Sequence, residues 1–403
     1  MRRLLSSGAL RGAVGFALGG AGFALGNILL AAALPPAQFG LLSLLLALMQ
    51  FGLACGPIGL EVVVKRHRPR VDMPLLRLAL FNTIVVGAAI AVVAAFVYDL
   101  TLVDALLLFA GAALAGSNNV SFGVHQSRAQ VGWALALAQG PNYMLLLLAL
   151  AALWLKPQSA GPILIGVVVG YLLANLLGWW HAAREQGDCV PLQRGLAIRE
   201  GIASVSIGIA LQLLWQLERV AIPKLTTVDD LATYSVLAAV VGAPFRVTQF
   251  GVGFTLIERL RKATDAGAAR AILRHEIVVA LLLVCGAVAG ILIAAPIVFH
   301  VILKNKYPIG WDLVAITIAV GMARVAEGFS TTAVAALGTE RTLARISAVA
   351  WVSLGVGVLG AWIGSRAGLF GIVCGTLFGW LSLSGCGCVL AVKSFRQRFA
   401  PAD

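Results

Sequence analysis

Charge is what this chain has least of. Only 12% of its 403 residues are Asp, Glu, Lys or Arg, while 60% are hydrophobic. A soluble domain carries roughly 25% charged residues. A chain this poor in charge cannot cover a water-facing surface, so most of its surface must face lipid. Acidic residues are scarcer still, 17 against 30 Lys plus Arg, giving a net charge of +13. In a soluble protein that balance would point to nucleic acid. Here the basic residues sit in short clusters between apolar runs, which reads as topology and contact with anionic membrane lipids, not as nucleic-acid binding. Cys55, Cys285, Cys374, Cys386 and Cys388 lie in apolar runs and Cys189 in a loop, and no pair has zinc-ligand spacing with histidines nearby. No G-x-x-x-x-G-K-[ST] loop occurs. No metal and no cofactor is expected. Long connections are missing too. The two longest run over 181–198 and 258–276, and the longest on the opposite side lies around Lys304 to Gly310. A stable small core usually needs at least about 40 residues, so no soluble catalytic module is expected and the chain reads as a non-enzyme.

What is abundant is apolar length, with a mean hydropathy of +0.95. A membrane helix needs about 20 mostly apolar residues. Twelve segments qualify: 12–34, 39–62, 75–97, 102–123, 131–154, 160–180, 199–222, 231–257, 277–303, 311–336, 344–364 and 368–392. The first resembles a signal peptide, but its apolar run is longer than the usual h-region of about 7 to 15 residues, so it reads as an uncleaved helix. With the N-terminus inside, 22 of the 30 Lys plus Arg fall on cytoplasmic connections, among them Arg2, Arg3 and the Lys65–Arg70 and Arg259–Arg274 clusters. Five fall outside: Lys156, Lys224, Lys304, Lys306 and Arg366. This asymmetry predicts both termini inside and an even helix count.

The chain also repeats. "AQFGLLSLLLALMQ" from Ala37 and "DDLATYSVLAAVVGA" from Asp229 each enter a helix from outside, and Ser43 aligns with Ser235 at an offset of 192. Both segments end in basic stretches, "KRHRPR" and "ERLRK". The expectation is an all-α polytopic membrane protein of about 12 transmembrane helices, in two six-helix lobes over 1–190 and 191–403. Gly371, Gly375 and Gly379 at four-residue spacing predict close helix approach.

"LPPAQFGLLSLLLALMQFGLACGPIGLEVVVKR", Leu34 to Arg66, resembles the first hairpin and second helix of bacterial polysaccharide flippases, with Phe39-Gly40 at the helix start and Gly59-Leu60-Glu61 near its end. These proteins belong to the multidrug/oligosaccharidyl-lipid/polysaccharide exporter superfamily. "DDLATYSVLAAVVGAPFRVTQFGVGF" resembles the family's eighth helix, and "AALGTERTLARISA" its connection between helices 10 and 11. The resemblance implies a MATE/flippase-like pseudo-repeat in the bacterial inner membrane. It implies alternating-access flipping of polyprenyl-pyrophosphate-linked oligosaccharide for O-antigen, capsule or exopolysaccharide. The partners it brings are that lipid-linked substrate, glycan polymerase and assembly proteins, and H+ or Na+ as a coupling ion.

Three arginines fall inside predicted helices: Arg219, Arg246 and Arg324. A charge near the bilayer centre costs roughly 2.5–3.5 kcal/mol on insertion scales and marks a functional site by default. Each lies on a small or polar helical stripe. One stripe is Ser235, Ala239, Gly242, Arg246, Gln249 and Gly253; another is Ser204, Gly208, Gln212, Trp215, Gln216 and Arg219; the third is Thr317, Gly321, Arg324, Gly328 and Thr331. Small residues beside an arginine leave room for a ligand or water. Arg246 and Arg324 are expected to bind the pyrophosphate or an acidic sugar, with Arg219 as an outer contact. Against this, Glu327 at i+3 can neutralise Arg324, Glu218 can pair with a neighbour, and Arg219 can snorkel. Asn118 and Asn119, with Asn27, Gln50, Gln139 and Asn142, could hold sugar hydroxyls, and interhelical hydrogen bonds explain them equally well. Pro57, Pro141 and Pro244 are candidate kinks. Glu327 and Glu218 are candidates for ion coupling, while Glu61 is expected at the inner interface beside Lys65. The competing reading is an ion-coupled multidrug/cation antiporter of the same superfamily, which should carry carboxylates in its N-terminal cavity. The deep charges here are arginines, which favours an anionic substrate.

Overall fold

Lipid offers a backbone no hydrogen-bond partners, so each segment must satisfy its own N–H and C=O groups, as an α-helix does. The computed structural model describes residues 8–185, 194–263 and 265–399; Arg2, Arg3 and Cys189 lie outside them. The helices are α1 (Gly8–Ala33), α2 (Pro36–Cys55), α3 (Leu60–His67), α4 (Met73–Tyr98), α5 (Leu102–Ser127), α6 (Val131–Leu155) and α7 (Gly161–Arg184). They continue with α8 (Arg194–Leu225), α9 (Val228–Leu237), α10 (Ala243–Lys262), α11 (Ala266–Pro296), α12 (Trp311–Leu337), α13 (Glu340–Gly364) and α14 (Gly368–Arg398). No β-strand occurs among the described residues. Among them, nine stretches are long and apolar enough to cross a membrane; the last, Glu340–Phe399, holds both α13 and α14, and Leu18–Ala33 of α1 is a shorter apolar helix. Each of the twelve expected segments carries helix, and the fold class is all-α and polytopic.

Local chemistry sets the helix ends. Asp72 caps α4 by accepting from the Leu75 amide at 3.0 Å, and Thr101 caps α5 through the Asp104 amide at 3.2 Å. The expected helix over 39–62 is not continuous. It stops at Cys55 and restarts as α3, because Ile58 and Gly59 have positive φ (51° and 75°) after Pro57. Gly59 also lies against the Gly201 carbonyl, where no side chain fits. Pro57 therefore ends a helix where a kink was expected. Pro244 acts differently. The turn before it, Ala238–Gly242, widens into a π-helix that links α9 to α10. Proline lacks the amide that the carbonyl four residues back would accept from, and its ring crowds that carbonyl.

By contacts the chain divides into two units, residues 21–232 and residues 233–403 with 1–20. In the first, Gly52 of α2 lies on Ala112 of α5, and Gly111 of α5 lies on Met49. Its basic end is closed by Leu60, Val63, Val64, Leu75, Val120 and Val124. Contacts assign α8 to this unit: the Tyr98 hydroxyl donates to the Val220 carbonyl at 2.8 Å, and Gln212 Nε2 to the Gln50 carbonyl at 3.3 Å. In the second unit α13 and α14 approach backbone to backbone through Gly360 and Gly375, Gly364 and Gly371, and Gly357 and Gly379, as the glycine spacing predicts. A cluster of Leu256, Leu260, Ala333, Ala336 and Leu337 fills its basic end, with Phe395 and Phe399 against it.

The outward faces are apolar, as lipid contact requires. Phe96 is 83% exposed and Trp154 at the end of α6 is 89% exposed. Arg184 stacks on Trp180 at 4.0 Å, an interfacial aromatic with a cation on its face.

Candidate functional site

In the unit containing α10 and α12, Gln249 lies one turn beyond Arg246, and its Nε2 donates to Glu327 Oε2 at 2.8 Å. Glu327 is only 3% exposed. A buried carboxylate is tolerated only when hydrogen-bonded or paired, and the amide supplies one such bond. The Ser330 and Thr331 hydroxyls, each at 2.9 Å, donate back to the Glu327 backbone carbonyl. Arg324, one turn before Glu327, lies with its guanidinium carbon 4.7 Å from the ring of Trp380 on α14. That ring is fully buried, and its face attracts the cation. Trp380 carries a single local signal in the sequence, an aromatic at the end of a glycine-spaced run.

The small residues of these stripes do not all leave room. Gly321 is occupied by the Phe245 ring, and Gly328 is covered by the Gln249 side chain, whose Cγ stands 2.6 Å from where a Cβ would be. On α12 the small residues therefore admit α10, not a ligand, which corrects the expectation of open space beside Arg324. At Gly242, one turn before the half-buried Arg246, a Cβ would meet nothing within 4 Å. Of the small positions described on these stripes, Gly242 thus keeps open space one turn from an arginine. Ser204 and Gly253 lie where no side-chain position is described.

Arg219 belongs to the other unit. Its Nη1 donates to Gln216 Oε1 at 3.1 Å. It lines a recess of mixed character, with Asn27, Ser43, Gln50, Asn142 and Tyr171 among apolar side chains, of about 30 Å³. That volume is enough for a water molecule. The recess joins Arg219 to residues of α1, α2 and α6 far from it in the chain. Asn142 Nδ2 donates to Gln139 Oε1 at 2.9 Å, and Asn27 Nδ2 to the Phe23 carbonyl at 2.8 Å. Asn118 Nδ2 donates to the Leu137 carbonyl at 2.8 Å and Asn119 Nδ2 to the Leu53 carbonyl at 2.9 Å. Both of these asparagines bridge helices. Glu218 is fully buried next to Arg219 in sequence. Among the described residues no cluster of His, Cys, Asp and Glu could hold a metal ion.

This architecture is that of solved MATE transporters. An inward-facing multidrug resistance MATE family transporter of the MOP superfamily matches with a TM-score of 0.71, at 13% identity over 96% of each chain. The MATE multidrug transporter DinF-BH, solved as a complex, matches at 0.60, with 15% identity over 98% of this chain and 95% of that one. An outward-facing MATE transporter matches at 0.54, with 16% identity over 97% and 96%. The class defined is a polytopic all-helical membrane protein of the MATE fold. No protein-family model matches the chain, and no curated protein matches it in sequence.

Proposed function

We propose that the chain is an alternating-access transporter that exchanges an organic substrate for a cation, the multidrug/cation antiporter reading. The observation that supports it most is Glu327, a carboxylate 3% exposed and held by Gln249, within a helix of a MATE-type fold. A buried carboxylate that alternates between proton or Na+ and a hydrogen-bonded state can couple transport to an ion gradient. Solved relatives in fold include both inward-facing and outward-facing multidrug transporters. In this reading both termini are cytoplasmic, the membrane is the inner one, and 1–190 and 191–403 are the two repeat lobes.

Arg246 favours a second reading. It lies one turn after Gly242, where a Cβ would meet nothing within 4 Å, and arginine grips phosphate oxygens with a planar fork. Together with the flippase-like Leu34–Arg66 segment, it supports flipping of lipid-linked oligosaccharide, with Arg324 and Arg219 as further contacts.

Proteoliposomes carrying a proton or Na+ gradient decide between the two. Gradient-driven movement of a lipophilic cationic dye, lost in Glu327→Gln, is expected on the first reading. No dye movement, with polyprenyl-linked repeat units trapped on the inner leaflet of a deletion strain and not released by Arg246→Ala, would replace it with the second.

A further inference from the structure

The second unit ends in a basic surface that no part of the transport reading uses. There α10 closes with Arg261 and Lys262, α11 opens with Arg270 and Arg274, and α14 closes with Arg396 and Arg398, all of them exposed. Among the described side chains of these helix ends there are two acids. Glu276 is buried and pairs with Arg259. Asp265 caps α11, accepting from the Ala268 amide at 2.8 Å. The surface therefore carries more cations than its own acids neutralise.

Phe395 brings α11 and α14 together at this end. The Arg270 guanidinium carbon lies 5.8 Å from the centre of its ring, within reach of the attraction between a cation and an aromatic face. Phe395 and Phe399, with ring centres 5.0 Å apart, pack on the buried cluster that holds Leu256, Leu260 and Ala269. Arg274 lies one turn from Arg270 on the same face of α11. Arg396 and Arg398 follow Phe395 in the chain. The two helix ends thus bring four guanidinium groups to one surface.

Beyond the arginines the same helix faces turn apolar. On α11 the face of Arg270 and Arg274 continues through Ile277, Leu281 and Cys285, all exposed. On α14 the face of Arg396 continues through Val392 and Val389, also exposed. The spanning stretch that holds α11, Ala266–Ile302, has the smallest buried share of the nine, 17%, so acyl chains cover most of it. A free anion would use the arginines and leave the apolar faces idle, and a zwitterionic lipid would bring the arginines no net charge. We propose that the ends of α11 and α14 bind an anionic phospholipid. Its phosphate sits on Arg270 and Arg274, with Arg396 and Arg398 beside it, and its acyl chains run along Ile277 and Leu281. Arginine holds two phosphate oxygens at once with its planar fork. The bound lipid ties α11 to α14, whichever substrate the protein moves.

The test titrates the full chain, in a neutral detergent, with phosphatidylglycerol or phosphatidylcholine. Retained lipid is read by native mass spectrometry and stability by the thermal midpoint. Wild type is expected to retain phosphatidylglycerol and not phosphatidylcholine, with a raised midpoint. Each basic residue at an anionic lipid surface contributes about five-fold in binding, so Arg270→Gln combined with Arg274→Gln should weaken phosphatidylglycerol binding about 30-fold. Arg66→Gln combined with Arg68→Gln removes the same charge from exposed positions of the other unit and should leave binding nearly unchanged. Equal retention of the two lipids by wild type overturns the proposal whether or not any variant folds. So does undiminished binding in the folded Arg270/Arg274 variant, or an equal loss in both double variants, which makes the attraction one of net charge alone. A midpoint raised as far by inorganic phosphate or by polyglutamate also overturns it, because the surface then serves free anions or an acidic polypeptide.

Discussion

Two alanine substitutions on one helix measure what the glycine contacts of α13 and α14 contribute. At Gly375 a Cβ would drive into the backbone of Gly360 and stand 2.5 Å from the Ala361 amide nitrogen, where 3.4 Å or more is ordinary contact. Backbone cannot turn aside as a side chain can, so the helices must part by roughly 1 Å. Overpacking of this kind costs about 1–3 kcal/mol. At Gly385, further along the same helix, a Cβ would meet nothing within 4 Å. Both substitutions gain the same helix propensity, about 0.8–1 kcal/mol. Gly385→Ala should therefore stabilise the protein, while Gly375→Ala should destabilise it by up to about 2 kcal/mol. The gap between them isolates the clash, and it corresponds to about a 5- to 150-fold difference in the ratio of folded to unfolded protein. Reversible unfolding in mixed micelles, followed by circular dichroism against the mole fraction of denaturing detergent, reads that ratio directly. Equal shifts in the same direction would refute close backbone approach as the force joining these helices.

Gln249→Leu removes the amide that donates to Glu327 and leaves a buried carboxylate short of a partner. A loss of about 1–3 kcal/mol is expected, read as a lower thermal midpoint that Glu327→Gln in the same background largely restores. Glu61, on α3 beyond the end of the spanning helix α2, has its carboxyl pushed up by burial, with Lys65 pulling partly the other way. The folded state therefore binds that proton more tightly than the unfolded one. The resulting stability is full below the ordinary carboxylate range and is lost as pH rises through the raised folded value. Glu61→Gln should thus be more stable than wild type at neutral pH and indistinguishable from it in acid, as thermal unfolding across pH will show.

Much of this fold follows from the order of residues alone. Twelve apolar runs in 403 residues leave the backbone no choice but helix in lipid. Single residues with fixed local physics, such as the Asp72 cap of α4 and Pro35-Pro36 at the start of α2, mark the ends. The four-residue spacing of Gly371, Gly375 and Gly379 identified one face of α14 as a place of close approach. Helical periodicity also put Arg246 with Gln249, and Arg324 with Glu327, because positions three apart always share a face.

What periodicity cannot carry is the identity of the neighbour on that face. The same small stripe that predicted room beside Arg324 is filled by Phe245 and Gln249 from another helix, while the space at Gly242, one turn from Arg246, stays open. Trp380 comes under Arg324 from 56 positions along the chain, and Arg219 joins Asn27 and Asn142 from the far end of its unit. His125 drew no notice in sequence, because the carbonyl that faces its ring lies 53 residues away. Composition and spacing determined that this chain is helical, lies in lipid and carries deep charges, since those follow from solvation and from the geometry of one helix. Which charges meet a carboxylate, an aromatic face or open space was decided only by the contacts between helices, because those partners lie far apart in the chain and only the folded chain brings them together.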